Sequence, residues 1–187
     1  AVSEVMRAVL DARAAGIPVI MLIGGANGCF GGMGIVARCA DQVVMSDIGR
    51  LAMSGPEVIE ASHGVDEFDA RDRALVWRTT GGKHRWLCGD CDALVADDVE
   101  AFRAAAIAAL DHSRPVSLEG LLQEHALLRA RLDTLDALKA GSAIGPQDEA
   151  MRLWQALGVP DAWRVPDLDA AAVRALRTTP ATGISQE

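Results

Sequence analysis

Apolar residues at Val2, Val5, Met6, Val9 and Leu10 recur at the i, i+3, i+4 spacing of an amphipathic helix and predict one over 2–15. Gly16 stops it and Pro18 forbids its continuation. The run Ile17-Pro-Val-Ile-Met-Leu-Ile23 is continuous, short and rich in β-branched residues, which favours a buried strand. A glycine-dense turn follows over 24–34, then a helix over 35–40 with small residues on its packing side. Strands are predicted over 42–46 and 50–53. Ser54-Gly-Pro-Glu57 has the capping-box spacing with Pro just inside, so a short helix should cover 56–61. Residues 66–78 read as a charged helix that Thr79-Thr-Gly-Gly-Lys-His-Arg85 breaks, and a further helix is predicted over 92–110, closed by Pro115. The leucines at 118, 121, 122, 128, 132 and 135, with His125 in the same line, stripe a longer helix over 117–139. About three heptads is short for a coiled coil, so an arm or capping helix is expected. Helices over 147–157 and 167–177 follow, and the tail after Thr178 should fray. Strand and helix alternating at short spacing predict an α/β domain over 1–115 and a helical C-terminal extension over 116–187.

Composition narrows the function. The 187 residues carry 26 Asp and Glu against 18 Lys and Arg, a formal charge of −8. Such a balance argues against a general nucleic-acid binder, which needs a basic face. No apolar run reaches the ~18–20 residues of a membrane span, and no basic segment followed by an apolar block marks a signal peptide. A cytoplasmic protein with no membrane or nucleic-acid partner is the expectation.

Four cysteines, at 29, 39, 88 and 91, are too few for a secreted disulfide scaffold and read as reduced thiols. Cys88-Gly-Asp-Cys91 is a CxxC with His84 four residues upstream. A closed zinc site needs a fourth ligand and no second CxxC exists, so no metal is expected.

The glycine turn carries the chemistry. Gly24-Gly-Ala-Asn-Gly-Cys-Phe-Gly-Gly-Met-Gly34 holds six glycines in eleven positions. It lacks the Gly-Lys-Ser/Thr of a P-loop. A turn so free of Cβ atoms lets backbone N–H groups approach a ligand, and at a helix start those groups suit an oxyanion. The other reading of such a turn is close helix–strand packing with no ligand.

The order of motifs from Pro18-Val19 through Asn27-Gly28, Gly31-Gly32, Ala40-Asp41 and Pro56-Glu57-Val58 resembles the crotonase superfamily. Ile35 stands where hydratases of that superfamily carry a catalytic Glu, which argues against hydratase chemistry. The carboxyltransferase branch aligns without a gap over Gly24 to Phe30 and Gly34. Gly55-Pro-Glu-Val-Ile59, Glu67-Phe-Asp-Ala-Arg-Asp-Arg73 and Trp77-Arg-Thr-Thr-Gly-Gly-Lys-His-Arg85 are similar to the beta (D) subunits of biotin-independent malonate decarboxylases. The resemblance covers roughly 1–112. It implies a crotonase-like ββα spiral whose opening strands and first oxyanion amide lie upstream of residue 1.

It also implies a reaction. A malonyl group, held as a thioester on the phosphopantetheine-like, dephospho-CoA-derived arm of an acyl carrier subunit, loses CO2 and becomes acetyl. Electrons move onto the thioester oxygen, so aligned amides stabilise the enolate and no covalently bound cofactor or metal is required. The amides of Gly24, Gly25, Gly31 and Gly32 are the candidate catalytic donors, with His84 as proton donor or carboxylate contact. The stretch 71–85 is basic, and Gly81, Gly82, Lys83 and Arg85 are the candidate substrate-binding residues, the glycines as an anion-binding nest. A solvated basic face is the plain alternative. The implied partners are the gamma (E) subunit, the acyl carrier (delta, C) subunit and the acyl carrier transferase (alpha, A) subunit. Two other functions stay open: the carboxyltransferase subunit of a biotin-dependent enzyme, and a catalytically silent assembly subunit. A serine hydrolase is weaker, because neither Ser46 nor Ser54 lies at the helix start.

Overall fold

A computed structural model describes residues 1–112, 117–139, 152, 155 and 162–176. Its described elements run α1 (Val2–Ala14), β1 (Ile20–Ile23), α2 (Gly32–Ala37), β2 (Gln42–Ser46), α3 (Pro56–His63), α4 (Arg73–Thr80), α5 (Gly82–Leu87), β3 (Ala93–Val95), α6 (Val99–Leu110), α7 (Leu118–Lys139), a 3₁₀ helix (Ala162–Asp167) and α8 (Ala170–Leu176). The helix expected over 147–157, apart from 152 and 155, and the tail after 176 lie outside the described residues. So does 113–116, where the two regions were expected to meet.

The three strands form one parallel sheet in the order β1-β2-β3, with Ile20 opposite Gln42 and Val44 opposite Ala93. The central strand is buried along its whole length. That fits the apolar sequence Val43-Val-Met45, which a doubly covered parallel strand requires. Ile23, Ala37, Val43, Met45, Leu51 and Cys91 pack as one core cluster. Leu87, Leu94, Val165, Ala170 and Val173 form a second, so the 162–176 segment returns to the sheet. Arg174 Nη1 donates to the Leu94 carbonyl at 2.6 Å, which fixes that return.

Several expectations change. β1 is an edge strand among the described residues, and Leu22 is 46% exposed. The apolar stripe of α1 is not a core face, for none of its residues is fully buried. Instead α1 is tied down by its end, where the Arg13 Nε donates to Asp41 Oδ1 at 3.0 Å and Asp41 Oδ2 accepts from the Val19 amide at 2.7 Å. Residues 50–53 are not a strand; Arg50 and Leu51 make single bridges to Gly81 and Cys29. Gly55, not Ser54, is the N-cap of α3, and no side chain caps it. The charged helix begins only at Arg73, where Asp72 accepts from the Leu75 amide at 3.1 Å. The expected break is confined to Gly81, whose backbone is extended, and residues 82–87 form a second helix. Ala93–Val95 is the third strand and not the start of a helix; α6 starts later, capped by Asp98, which accepts from the Ala101 amide at 2.8 Å. Leu118, Leu121 and Leu122 of α7 are exposed.

Candidate active site

The glycine turn lies between the C-terminal end of β1 and the start of α2. Gly25, Gly28 and Gly31 all have positive φ, at 70°, 70° and 62°, a conformation that L side chains rarely adopt. Gly24 is required for a different reason. A Cβ there would lie 2.7 Å from both Asp97 Oδ1 and the Phe102 ring.

Residues 50–53 bracket the turn. The Cys29 amide donates to the Arg50 carbonyl at 2.7 Å, the Ala52 amide to the Cys29 carbonyl at 3.2 Å, and the Gly31 amide to the Met53 carbonyl at 2.8 Å. The Leu51 amide reaches across to the Thr80 carbonyl at 2.8 Å, so the bracket also joins α4. The Arg50 Nη2 donates to the Ala26 carbonyl. Asp97 secures the other limb, its Oδ1 accepting from the Gly25 amide at 2.9 Å.

The consequence for the donors is selective. The amides of Gly25 and Gly31 are taken up by Asp97 and Met53. The amides of Gly32 and Met33, at the first two positions of α2, have no acceptor among the described residues. α2 has six residues, so its macrodipole is small and these amides act as individual donors. Gly32 is half-buried, and a Cβ on it would lie 2.5 Å from Val2 Cγ2. Thus α1 packs over the helix start. Cys29, inside the turn, offers no nucleophile, because burial pushes its thiol up.

The stretch around His84 has another character. The Gly81 amide donates to the Trp77 carbonyl at 3.0 Å and the Gly82 amide to the Gly49 carbonyl at 2.8 Å, so neither glycine of the nest expected there offers a free amide. Gly81 has φ −74°, outside the left-handed region. Gly82 is glycine because a Cβ would lie 2.0 Å from the Ser46 carbonyl oxygen. Lys83 donates to the Pro166 carbonyl at 2.7 Å, and burial lowers its pKa. Arg85 pairs with Asp90 at 3.0 Å and reaches the Thr79 carbonyl at 3.3 Å. His84 is buried, with its ring 3.8 Å from Cys88 Sγ. Burial, then the Arg85 charge, pushes its pKa down to about 3, against a smaller opposing effect of Asp90. The imidazole is therefore neutral through the physiological range.

Among the described residues no group of three or more His, Cys, Asp or Glu side chains is placed to hold a metal ion. Cys88 and Cys91 are buried. No described helix is long and apolar enough to cross a membrane.

Sequence reasoning missed Asp97 and Arg50. The Asp97-Asp98 doublet is a helix-start signal that marks the end of β3. Arg50 gave no comparable signal, since it opens a tetrapeptide whose other residues are apolar.

No family model matches the chain. Malonyl-S-ACP:biotin-protein carboxyltransferase MADC of Malonomonas rubra is 42% identical over 156 residues, which is 83% of this chain and 48% of that protein. A chain of a Pseudomonas malonate decarboxylase hetero-tetramer in complex with malonate superposes with a TM-score of 0.64 at 32% identity, covering 81% of this chain and 52% of its own. A chain of the Pseudomonas malonate decarboxylase MdcD-MdcE hetero-dimer gives a TM-score of 0.57 at 32% identity, covering 69% and 52%. The chain spans about half the length of the relatives it matches.

Proposed function

We propose that the chain, over the half of its relatives' length that it spans, belongs to the malonate decarboxylase subunit family with its crotonase-like α/β fold, and that it is a subunit of an enzyme that decarboxylates a malonyl thioester. The match to a chain of the Pseudomonas malonate decarboxylase carries the reading, and the pair of unoccupied amides at the start of α2 suits it. The substrate is a malonyl group on the phosphopantetheine-like arm of an acyl carrier subunit. The bond to the carboxylate carbon breaks, CO2 leaves, and the electron pair moves onto the thioester oxygen as an enolate. The Gly32 and Met33 amides stabilise that oxygen as its charge grows. Gly24, Gly25 and Gly31 shape the turn that presents them. No metal and no covalently bound cofactor take part.

A proton must then reach the enolate carbon. His84 is a poor acid for this, being neutral and enclosed. We assign the donor to a neighbouring gamma (E) subunit, with the acyl carrier (delta, C) and carrier transferase (alpha, A) subunits completing the enzyme. Reconstitution of the complex tests the reading: malonyl carrier should yield CO2 and acetyl carrier in equal amounts. A complex that assembles and releases no CO2 refutes it.

The name of the Malonomonas rubra relative favours a second reading, in which the carboxyl group passes to a biotin protein. Inhibition by avidin, together with turnover that requires the biotin protein, would select it.

A further inference from the structure

Beside the glycine turn lies a cationic group that the reaction above does not use. The Arg50 Cζ is 4.6 Å from the centroid of the Trp77 ring and 5.4 Å from that of Phe30. The Arg73 Cζ is 5.3 Å from the same Trp77 ring. Arg13, Arg71, Arg85, Arg103 and Arg129 each pair with a carboxylate. Arg50 and Arg73 pair with none among the described residues, in a chain with eight more acidic than basic side chains. Within the Arg50 guanidinium, Nη2 has an acceptor and the enclosed Nε has no hydrogen-bond partner.

Two guanidinium groups drawn to one indole without a counterion make a prepared anion site. The ring holds each guanidinium by cation–π attraction, which uses no N–H donor, so donors remain for an acceptor with several oxygens. Arg50 is anchored to the Ala26 carbonyl, within the turn that leads to the free amides of α2. We propose that Arg50, Arg73 and Trp77 bind the phosphate ester of the arm that carries the acyl thioester. This rests on the proposed function.

The malonyl carboxylate is the wrong anion for this place. An arginine pair on it would stabilise the ground state and lose its partner as neutral CO2 forms, which slows decarboxylation. A phosphate keeps its charge throughout the reaction. Its binding therefore strengthens capture without opposing the chemistry, and it is read in KM.

The assembled enzyme is assayed with malonyl-S-phosphopantetheine and malonyl-S-pantetheine, which differ by the phosphate alone. The phosphorylated arm should have a kcat/KM about tenfold higher or more, the scale of charge-assisted hydrogen bonds. Arg73→Ala and Arg50→Lys should shrink that ratio severalfold through KM, whereas Arg103→Ala, on α6, should leave it unchanged. An unaltered ratio in Arg73→Ala overturns the proposal. Carrier-bound malonyl is the second test: a matching loss with Arg73→Ala assigns the site to the phosphate of the carrier-bound arm, and a loss confined to the free arm overturns the proposal. If neither free arm is decarboxylated, fluorescence decides the site, and the proposed function fails only if the malonyl carrier is not decarboxylated either. Inorganic phosphate should change the Trp77 emission, identified by its absence in Trp77→Phe, and Arg73→Ala should abolish that change. A response to malonate alone would overturn the proposal.

Discussion

Two glycine-rich stretches look alike in the sequence and do opposite things in the fold. In 24–34, three glycines adopt positive φ and the chain arrives at α2 with the Gly32 and Met33 amides unoccupied. At Gly81-Gly82 neither amide is free, and the missing Cβ atoms let the backbone approach the Trp77 and Ser46 carbonyls. The same residue type supplies backbone freedom in one place and close approach in the other. What separates them is the fate of their N–H groups, and these are set by distant residues: Asp97 and Met53 for the first, Gly49 and Trp77 for the second.

The strongest way to break this contrast is to delete one free amide. Pro is accommodated at the first position of a helix, which Gly32 occupies, but it lacks the N–H. With Val2→Ala to make room, Gly32→Pro should lower kcat by ~10²–10³ relative to Gly32→Ala in the same background, about 3–4 kcal/mol of transition-state stabilisation. Equal rates would show that the amide takes no part. Gly82→Ala should do the reverse. Its clash with backbone is expected to destabilise the protein by about 2–3 kcal/mol, lowering Tm by roughly 5–10 °C, while kcat per folded enzyme stays the same.

His84 sharpens the assignment of the second region to structure. In the unfolded chain it takes up a proton near its ordinary pKa of 6.5; in the fold it does not until about 3. The unfolded state therefore binds more protons between those values. Stability from this group is complete above pH 6.5 and falls by up to about 1.4 kcal/mol per unit as the pH drops below it. Denaturant melts of His84→Gln should lose that slope between pH 6.5 and 5. A kcat profile that follows the imidazole instead would return His84 to the chemistry. The smallest effect is expected at Asp97. Asp97→Ala frees the Gly25 amide and should cost about 1 kcal/mol, with a severalfold fall in kcat/KM that Asp97→Asn largely restores.

The parts legible in the sequence were those with a strong local pattern. Residues 42–46 form the expected strand because five consecutive positions are buried there, and α1 matches its 3.6-residue period even though none of its apolar residues is fully buried. Parts decided by distant contacts were not legible. Residues 50–53 have strand composition, yet the turn on one side and Thr80 on the other take up their hydrogen bonds singly. The three residues of β3 are too few to show a period, and the helix that follows absorbed them. At the site, the glycines announced a turn, but which amides remain free depends on Asp97 and Met53, partners 72 and 22 residues away from the donors they engage. Lys83 and Arg85 read as a basic surface because nothing local shows that Pro166 and Asp90 receive them.

One edge of the small parallel sheet has a practical side. β1 hydrogen-bonds to β2 along one flank only among the described residues, and Leu22 faces outward beside it. Open flanks of this kind invite pairing with whatever extended chain they meet. An extended segment laid along that flank would take up the outward amides and carbonyls of β1 and cover Leu22, so a peptide that pairs there should protect the amides of Ile20–Ile23 from hydrogen exchange.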